Sequence, residues 1–112
     1  MVHIQENRYL TEFFSNPVNN AALGDPGPVL QLAPEAIQKL FAVNVFGPIY
    51  LMQAAIKHMP PHSRIINIGS VASKLGLAEL PLYGACKASI DAFSFSMAME
   101  VCVLYAYRSQ NR

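Results

Sequence analysis

The chain has 112 residues, enough for one small domain and too few for two. Apolar residues make up 53% and charged residues 13%, with a formal net charge of +1 and no basic or acidic block. That balance excludes partners recognised through bulk charge, nucleic acid and anionic membranes among them. It also leaves too little polar residue to cover a small particle, so part of the apolar surface is expected to meet a partner.

Cys86 and Cys102 form no disulfide or metal-binding spacing and read as reduced thiols of a cytoplasmic protein. The opening Met-Val-His-Ile-Gln-Glu-Asn-Arg lacks the charged-then-apolar layout of a secretion signal. Residues 40–56 carry no charge, but Asn44, Gly47, Pro48 and Gln53 interrupt them, and a membrane span is not expected.

In chain order, residues 1–16 are polar and irregular and end in a turn-like Ser-Asn-Pro. Residues 18–23, Val-Asn-Asn-Ala-Ala-Leu, close a strand and turn away from it, and Pro17 argues against a central position because it cannot donate to a ladder. Gly24-Asp-Pro-Gly27-Pro is a loop. From Ala33 the period becomes helical: Pro34 suits a first turn, Glu35 complements the dipole, and Ile37, Leu40, Phe41, Val45 and Ile49 recur at helix spacing. The helix is expected to reach about His58 with a kink at Gly47-Pro48.

His58-Met-Pro-Pro-His62 ends that helix. The intervening prolines keep the two histidines from aligning, and no carboxylate or thiolate sits near them, so no metal site is expected. Arg64-Ile-Ile-Asn-Ile-Gly69 has the composition of a buried strand. Residues 70–81 form a loop in which Ser73 and Lys74 read as ordinary loop residues. A last helix starts at Leu82, runs through Ile90, Phe93, Met97 and Val101, and ends near Tyr105, its Phe and Met residues serving packing. Strand, helix, strand, loop, helix is the order of an α/β parallel sheet, whose chemistry gathers at the carboxyl ends of its strands.

Within the last helix, Tyr83-Gly-Ala-Cys-Lys87 places a phenol and an ammonium four residues apart, stacked on one face. An isolated phenol titrates near ~10, out of range for neutral-pH proton transfer, and a neighbouring positive charge favours phenolate. That pairing suits a general acid/base. Ser70 precedes Tyr83 by thirteen residues, in a loop able to bring its hydroxyl beside the phenol, and Asn44 lies in the preceding helix.

These residues, in this order and with Val18-Asn-Asn-Ala-Ala22 upstream, resemble the short-chain dehydrogenase/reductase family over about residues 18–101. The resemblance implies an α/β fold, a partial Rossmann-type doubly wound parallel sheet in which residues 17–106 are the family portion, 1–16 an irregular lead and 107–112 a tail. It implies an NAD(P)-dependent oxidoreductase moving hydride between a nicotinamide, of NADP or NAD, and a carbonyl or secondary alcohol. Tyr83 would match the catalytic acid/base. Lys87 would match the residue that lowers its pKa and bonds the nicotinamide ribose, and Ser70 the one that holds the substrate oxygen. Asn44 would be the fourth member, a kink residue retaining a water that connects Lys87 to solvent. Asn20 and Ala21, with Asn19 and Ala22, would match the family's Asn-Asn-Ala-Gly segment beside the cofactor, alanine at 22 replacing the usual glycine. Cys86, inside the motif, is a packing residue.

A nicotinamide dinucleotide also needs a glycine-rich turn for its pyrophosphate. Gly24, Gly27, Gly47, Gly69, Gly76 and Gly84 do not form one, so the N-terminal dinucleotide-binding strands are expected to be lacking. The alternative is therefore a truncated, inactive chain acting at most as an interaction module with full-length relatives. The helices over 33–58 and 82–105 match the family's subunit interface, which implies homo- or hetero-oligomers.

Overall fold

Two short parallel strands, β1 (Val18–Asn19) and β2 (Ile66–Asn67), sit beside three α-helices in a computed structural model that describes residues 16–24 and 26–110. The lead expected over 1–16 lies outside the described residues except for Asn16. Val18 stands opposite Ile66 and Asn19 opposite Asn67. The ladder runs from the Ile66 N–H to the Pro17 carbonyl and from the Ile68 N–H to the Asn19 carbonyl, each 3.0 Å. Pro17 fits because the pairing asks it only for a carbonyl. Both strands are shorter than the runs 18–23 and 64–69 that the sequence suggests.

Side chains set the register. Asn19 Nδ2 donates to Asn67 Oδ1 at 2.7 Å, and Asn67 Nδ2 donates to Ser94 Oγ at 2.7 Å and approaches Met52 Sδ at 3.3 Å. Ser94 in turn donates to the Ile90 carbonyl at 2.6 Å. A slip of one residue would put an isoleucine into this polar chain and turn the asparagine outward. On the opposite face of the sheet Val18, Ile66 and Ile68 are 54%, 45% and 42% exposed.

The crossover between the strands is the helical stretch from Pro34 to Ile56, made of α1 (Pro34–Phe41), a π-helical turn (Ala42–Phe46) and α2 (Gly47–Ile56). Pro34 occupies the first turn, where its missing N–H costs nothing, and Glu35 lies in that turn. The irregularity expected at Gly47-Pro48 takes the form of the π turn just upstream of the proline. Pro48 has no N–H for the carbonyl four residues back, that of Asn44, and its ring crowds that carbonyl. The turn widens, the Gly47 N–H donating to the Ala42 carbonyl five residues back, and the helix resumes. A 3-10 turn at Val29–Gln31 precedes α1 and carries no sequence signal that the helical period reveals.

Leu40 and Val45 pack against Cys86 and Ile90 of α3 (Pro81–Gln110), with Phe41, Ile49 and Leu82 around them. Met52 and Ala55 are buried as well. Burying side chains of this size stabilises by roughly 1.5–3 kcal/mol each, so this seam holds the helices together. The stretch Pro34–Ile56 is long and apolar enough to cross a bilayer by composition, but here it buries Leu40, Val45, Met52 and Ala55 within the protein. Cys86 is fully buried, in the packing role expected of it. The last helix runs five residues beyond Tyr105, to Gln110.

Candidate active site

The site is assembled where β2 ends against the first turns of α3. Lys87 is 93% buried, and its Nζ donates to the Ile68 carbonyl, one residue past β2, at 2.6 Å. An ammonium hidden from water needs such a partner, since an unpaired one would cost several kcal/mol (about 3–5). The same Nζ lies 5.6 Å from the centroid of the Tyr83 ring. The four-residue spacing thus stacks phenol and ammonium as the sequence suggests, with the ammonium tied to the end of the strand.

Ser70 follows two residues after Ile68 and caps a 3-10 turn, Val71–Ser73, that the sequence does not signal within the loop 70–81. Its Oγ accepts from the Ala72 N–H at 3.2 Å. With one lone pair so occupied, the hydroxyl hydrogen is left to donate elsewhere. The turn presses on α3 at Gly84, next to Tyr83, where an added Cβ would lie 2.7 Å from the Ala72 carbonyl oxygen. Ser70 and the Ile68 carbonyl that anchors Lys87 thus both lie just past the end of β2, with the Ser70 turn against α3 next to Tyr83.

Asn44 is 3% exposed and makes a different connection. Its Oδ1 accepts from the Leu23 N–H at 2.7 Å and its Nδ2 donates to the Leu23 carbonyl at 2.8 Å. The π turn aims this carboxamide at the chain beyond β1, while the neighbouring Val45 packs on Cys86, beside Lys87. Replacing Asn44 by alanine is expected to cost only about 1 kcal/mol, because the exposed Leu23 peptide can turn to water. Asn44→Asp is expected to cost more, about 3 kcal/mol, because it sets a carboxylate oxygen against the Leu23 carbonyl oxygen in a buried place. Thermal melts of the two variants rank them.

Asn20 and Ala21 are exposed in the irregular stretch that leaves β1, at the carboxyl edge of the sheet. Asn19, inside β1, instead serves the register. Among the described residues no three His, Cys, Asp or Glu side chains cluster closely enough to hold a metal ion.

Three residues of the site were not singled out by spacing. Ser73 Oγ lies 2.8 Å from the Ser70 carbonyl and 2.7 Å from Asp91 Oδ2, and Lys74 Nζ is 3.0 Å from the same carboxylate oxygen. Ser73 and Lys74 are therefore more than loop residues. Asp91 goes unnoticed in the sequence; the signal open to it is an acidic residue four positions after Lys87 on the same helix face. The Ser73 hydrogen bond, then the Lys74 bond and charge with a further contribution from Lys87, hold the Asp91 carboxyl below the ordinary 3.8, against the opposing effect of burial. Because the folded value is depressed, the stability it contributes is complete above the unfolded value and lost as pH falls through the folded one. Melting temperature is expected to be insensitive to Asp91→Asn at low pH, below both values, and sensitive to it above about pH 5.

A family model described as short chain dehydrogenase matches residues 16–103. The short chain dehydrogenase penD of Penicillium thymicola is 43% identical over 86 residues, covering 72% of this chain and 31% of that protein. The sorbitol dehydrogenase of Cereibacter sphaeroides is 37% identical over 87 residues, covering 75% and 34%. Among solved structures, the angucycline C-6 ketoreductase LanV with bound NADP superposes with a TM-score of 0.76 at 26% identity, covering 80% of this chain and 35% of that one. The chain thus spans about a third of the length of these relatives. Over that span, with its partial Rossmann sheet, it belongs to the short-chain dehydrogenase/reductase family.

Proposed function

We propose that this chain carries the catalytic wall of an NAD(P)-dependent oxidoreductase that interconverts a carbonyl and a secondary alcohol, within a family portion over residues 17–106. The observation that carries the reading is the buried Lys87 ammonium, anchored to the end of β2 and set 5.6 Å from the Tyr83 ring. In this reading Tyr83 gives its proton to the carbonyl oxygen during reduction and takes it back during oxidation. The positive charge of Lys87 offsets the negative charge left on the phenol oxygen. Ser70, with its Oγ already accepting from Ala72, donates to the same substrate oxygen and polarises it.

A nicotinamide dinucleotide, when bound, supplies or accepts the hydride. The residues present fit its nicotinamide end: Lys87 has ammonium hydrogens beyond the one given to Ile68, and Asn20 and Ala21 stand exposed at the carboxyl edge of β1. A glycine-rich turn for the pyrophosphate is not among the described residues, so that end is not assigned. Asn44 holds the chain beside this edge, and the family's bridging water is the further role it would have. LanV is a ketoreductase with bound NADP and one relative is a sorbitol dehydrogenase, which makes these the first probes. Saturable binding of NADPH or NADH, followed by fluorescence of the reduced nicotinamide, together with oxidation of sorbitol in the presence of NAD+ or NADP+, is the expected result. Absence of saturable binding by all four nucleotides overturns the proposal.

A second reading, association with a second copy or a longer relative, is favoured by apolar side chains left in water. Phe46, Tyr50 and Leu51 are exposed on the stretch from Pro34 to Ile56, and Phe95 and Met99 are 72% and 71% exposed on α3. Burial of these on a partner would relieve a surface that monomers rarely tolerate. Sedimentation is expected to give a dimer or larger species for the natural chain and a monomer for the Tyr50→Glu, Phe95→Glu variant. A monomer at the highest soluble concentration of the natural chain rejects this reading.

A further inference from the structure

Asp91 lies on α3 one turn beyond Lys87, and i, i+4 residues share a helix face. The two therefore reach the same neighbouring segment from one rigid helix. Lys87 holds it at the Ile68 carbonyl, two residues before Ser70, and Asp91 holds it at the Ser73 hydroxyl, three residues after. Gly69 passes close by, for a Cβ there would lie 3.5 Å from Asp91 Oδ1. Ser70 is thus suspended between two grips from a single helix.

The linkage to Ser70 itself is direct. The Ser70 carbonyl receives the Ser73 N–H at 3.1 Å, and the Ser73 hydroxyl lies 2.8 Å from the same carbonyl. That hydroxyl has one hydrogen to share between the carbonyl and the Asp91 carboxylate, and the charged acceptor is the stronger. Lys74 adds less. Its side chain is 66% exposed, and an ion pair in water contributes little. The Ser73 bond is therefore the effective fastening.

We propose that Asp91 is a positioning residue: by fastening Ser73 to α3, it fixes the Ser70 turn relative to Tyr83 and Lys87. The catalytic part of this inference rests on the reading of those three residues given above, whereas the fastening itself does not. Amide hydrogen exchange on the full chain tests the fastening. Asp91→Ala and the milder Ser73→Ala are each expected to speed exchange of the Ser73 and Lys74 amides about tenfold while the amides of α3 stay protected. The double variant is expected to match either single one, since both remove the same link. Asp91→Asn, whose carboxamide oxygen still accepts from Ser73 but without the charge, is expected to fall between the natural chain and Asp91→Ala.

In turnover, Asp91→Ala is expected to lower kcat about tenfold with KM for the nucleotide unchanged, and Asp91→Asn to restore part of it. Unchanged exchange in Asp91→Ala and Ser73→Ala, or acceleration spread evenly along α3, overturns the role assigned to Asp91. No nucleotide binding or turnover by the natural chain, with the exchange pattern as expected, leaves Asp91 as the fastening of the turn and overturns the oxidoreductase reading alone.

Discussion

Replacing Tyr83 by phenylalanine is expected to lower turnover by about 10²–10⁴-fold, the usual contribution of a positioned acid/base. In free energy that is roughly 3–5 kcal/mol of barrier. The ring remains to pack beside Lys87, so nucleotide affinity and melting temperature are expected to stay near those of the natural chain. The loss should therefore fall on kcat and not on KM. Steady-state kinetics beside a nucleotide titration make the comparison. Equal turnover by the two proteins removes Tyr83 from the chemistry.

Gly84→Ala sets two effects of opposite sign against each other. Alanine in place of glycine favours a helix interior by about 1 kcal/mol. The new methyl would lie 2.7 Å from the Ala72 carbonyl oxygen, a backbone atom that cannot rotate aside. Overpacking of this kind costs about 1–3 kcal/mol, so the net effect on stability is expected to be a modest loss. Turnover is expected to suffer more. Relief of the clash moves the turn that begins at Ser70, and displacement of a reacting group by an ångström can cost about 10²-fold. A melting curve and a kcat measured on the same preparation separate the two, and a variant as active as the natural chain shows that the turn does not set the position of Ser70.

The residues legible in the sequence were those whose roles rest on local spacing. Pro34 and Glu35 mark the start of a helix by their own chemistry, and the run around Ile66 marks a strand. Tyr83 and Lys87 meet because helix geometry alone stacks them. The order of elements then implied the parallel pairing of β1 with β2. What spacing could not carry were contacts between segments far apart in the chain. Gly84 reads as a weak point in a helix until Ala72 is found against it, and Ser73 reads as a loop hydroxyl until Asp91 is found within 2.7 Å. Pro48 announced an irregular helix, but the relief lies upstream, at the carbonyl it crowds, which is how Asn44 comes to be in a widened turn. The exchange of hydrogen bonds between Asn44 and Leu23, 21 residues apart, has no local signature at all.

That exchange has a consequence for the shape of the sheet. A carboxamide is a peptide group carried on a side chain, offering one donor and one acceptor in the same plane. Asn44 therefore does for Leu23 what a neighbouring strand would do, with a single residue and from within a helix. The chain leaving β1 is satisfied without being extended into a longer ladder. It can depart from the plane of the sheet where Asn20 and Ala21 lie exposed, leaving that edge of the ladder free of a continued strand.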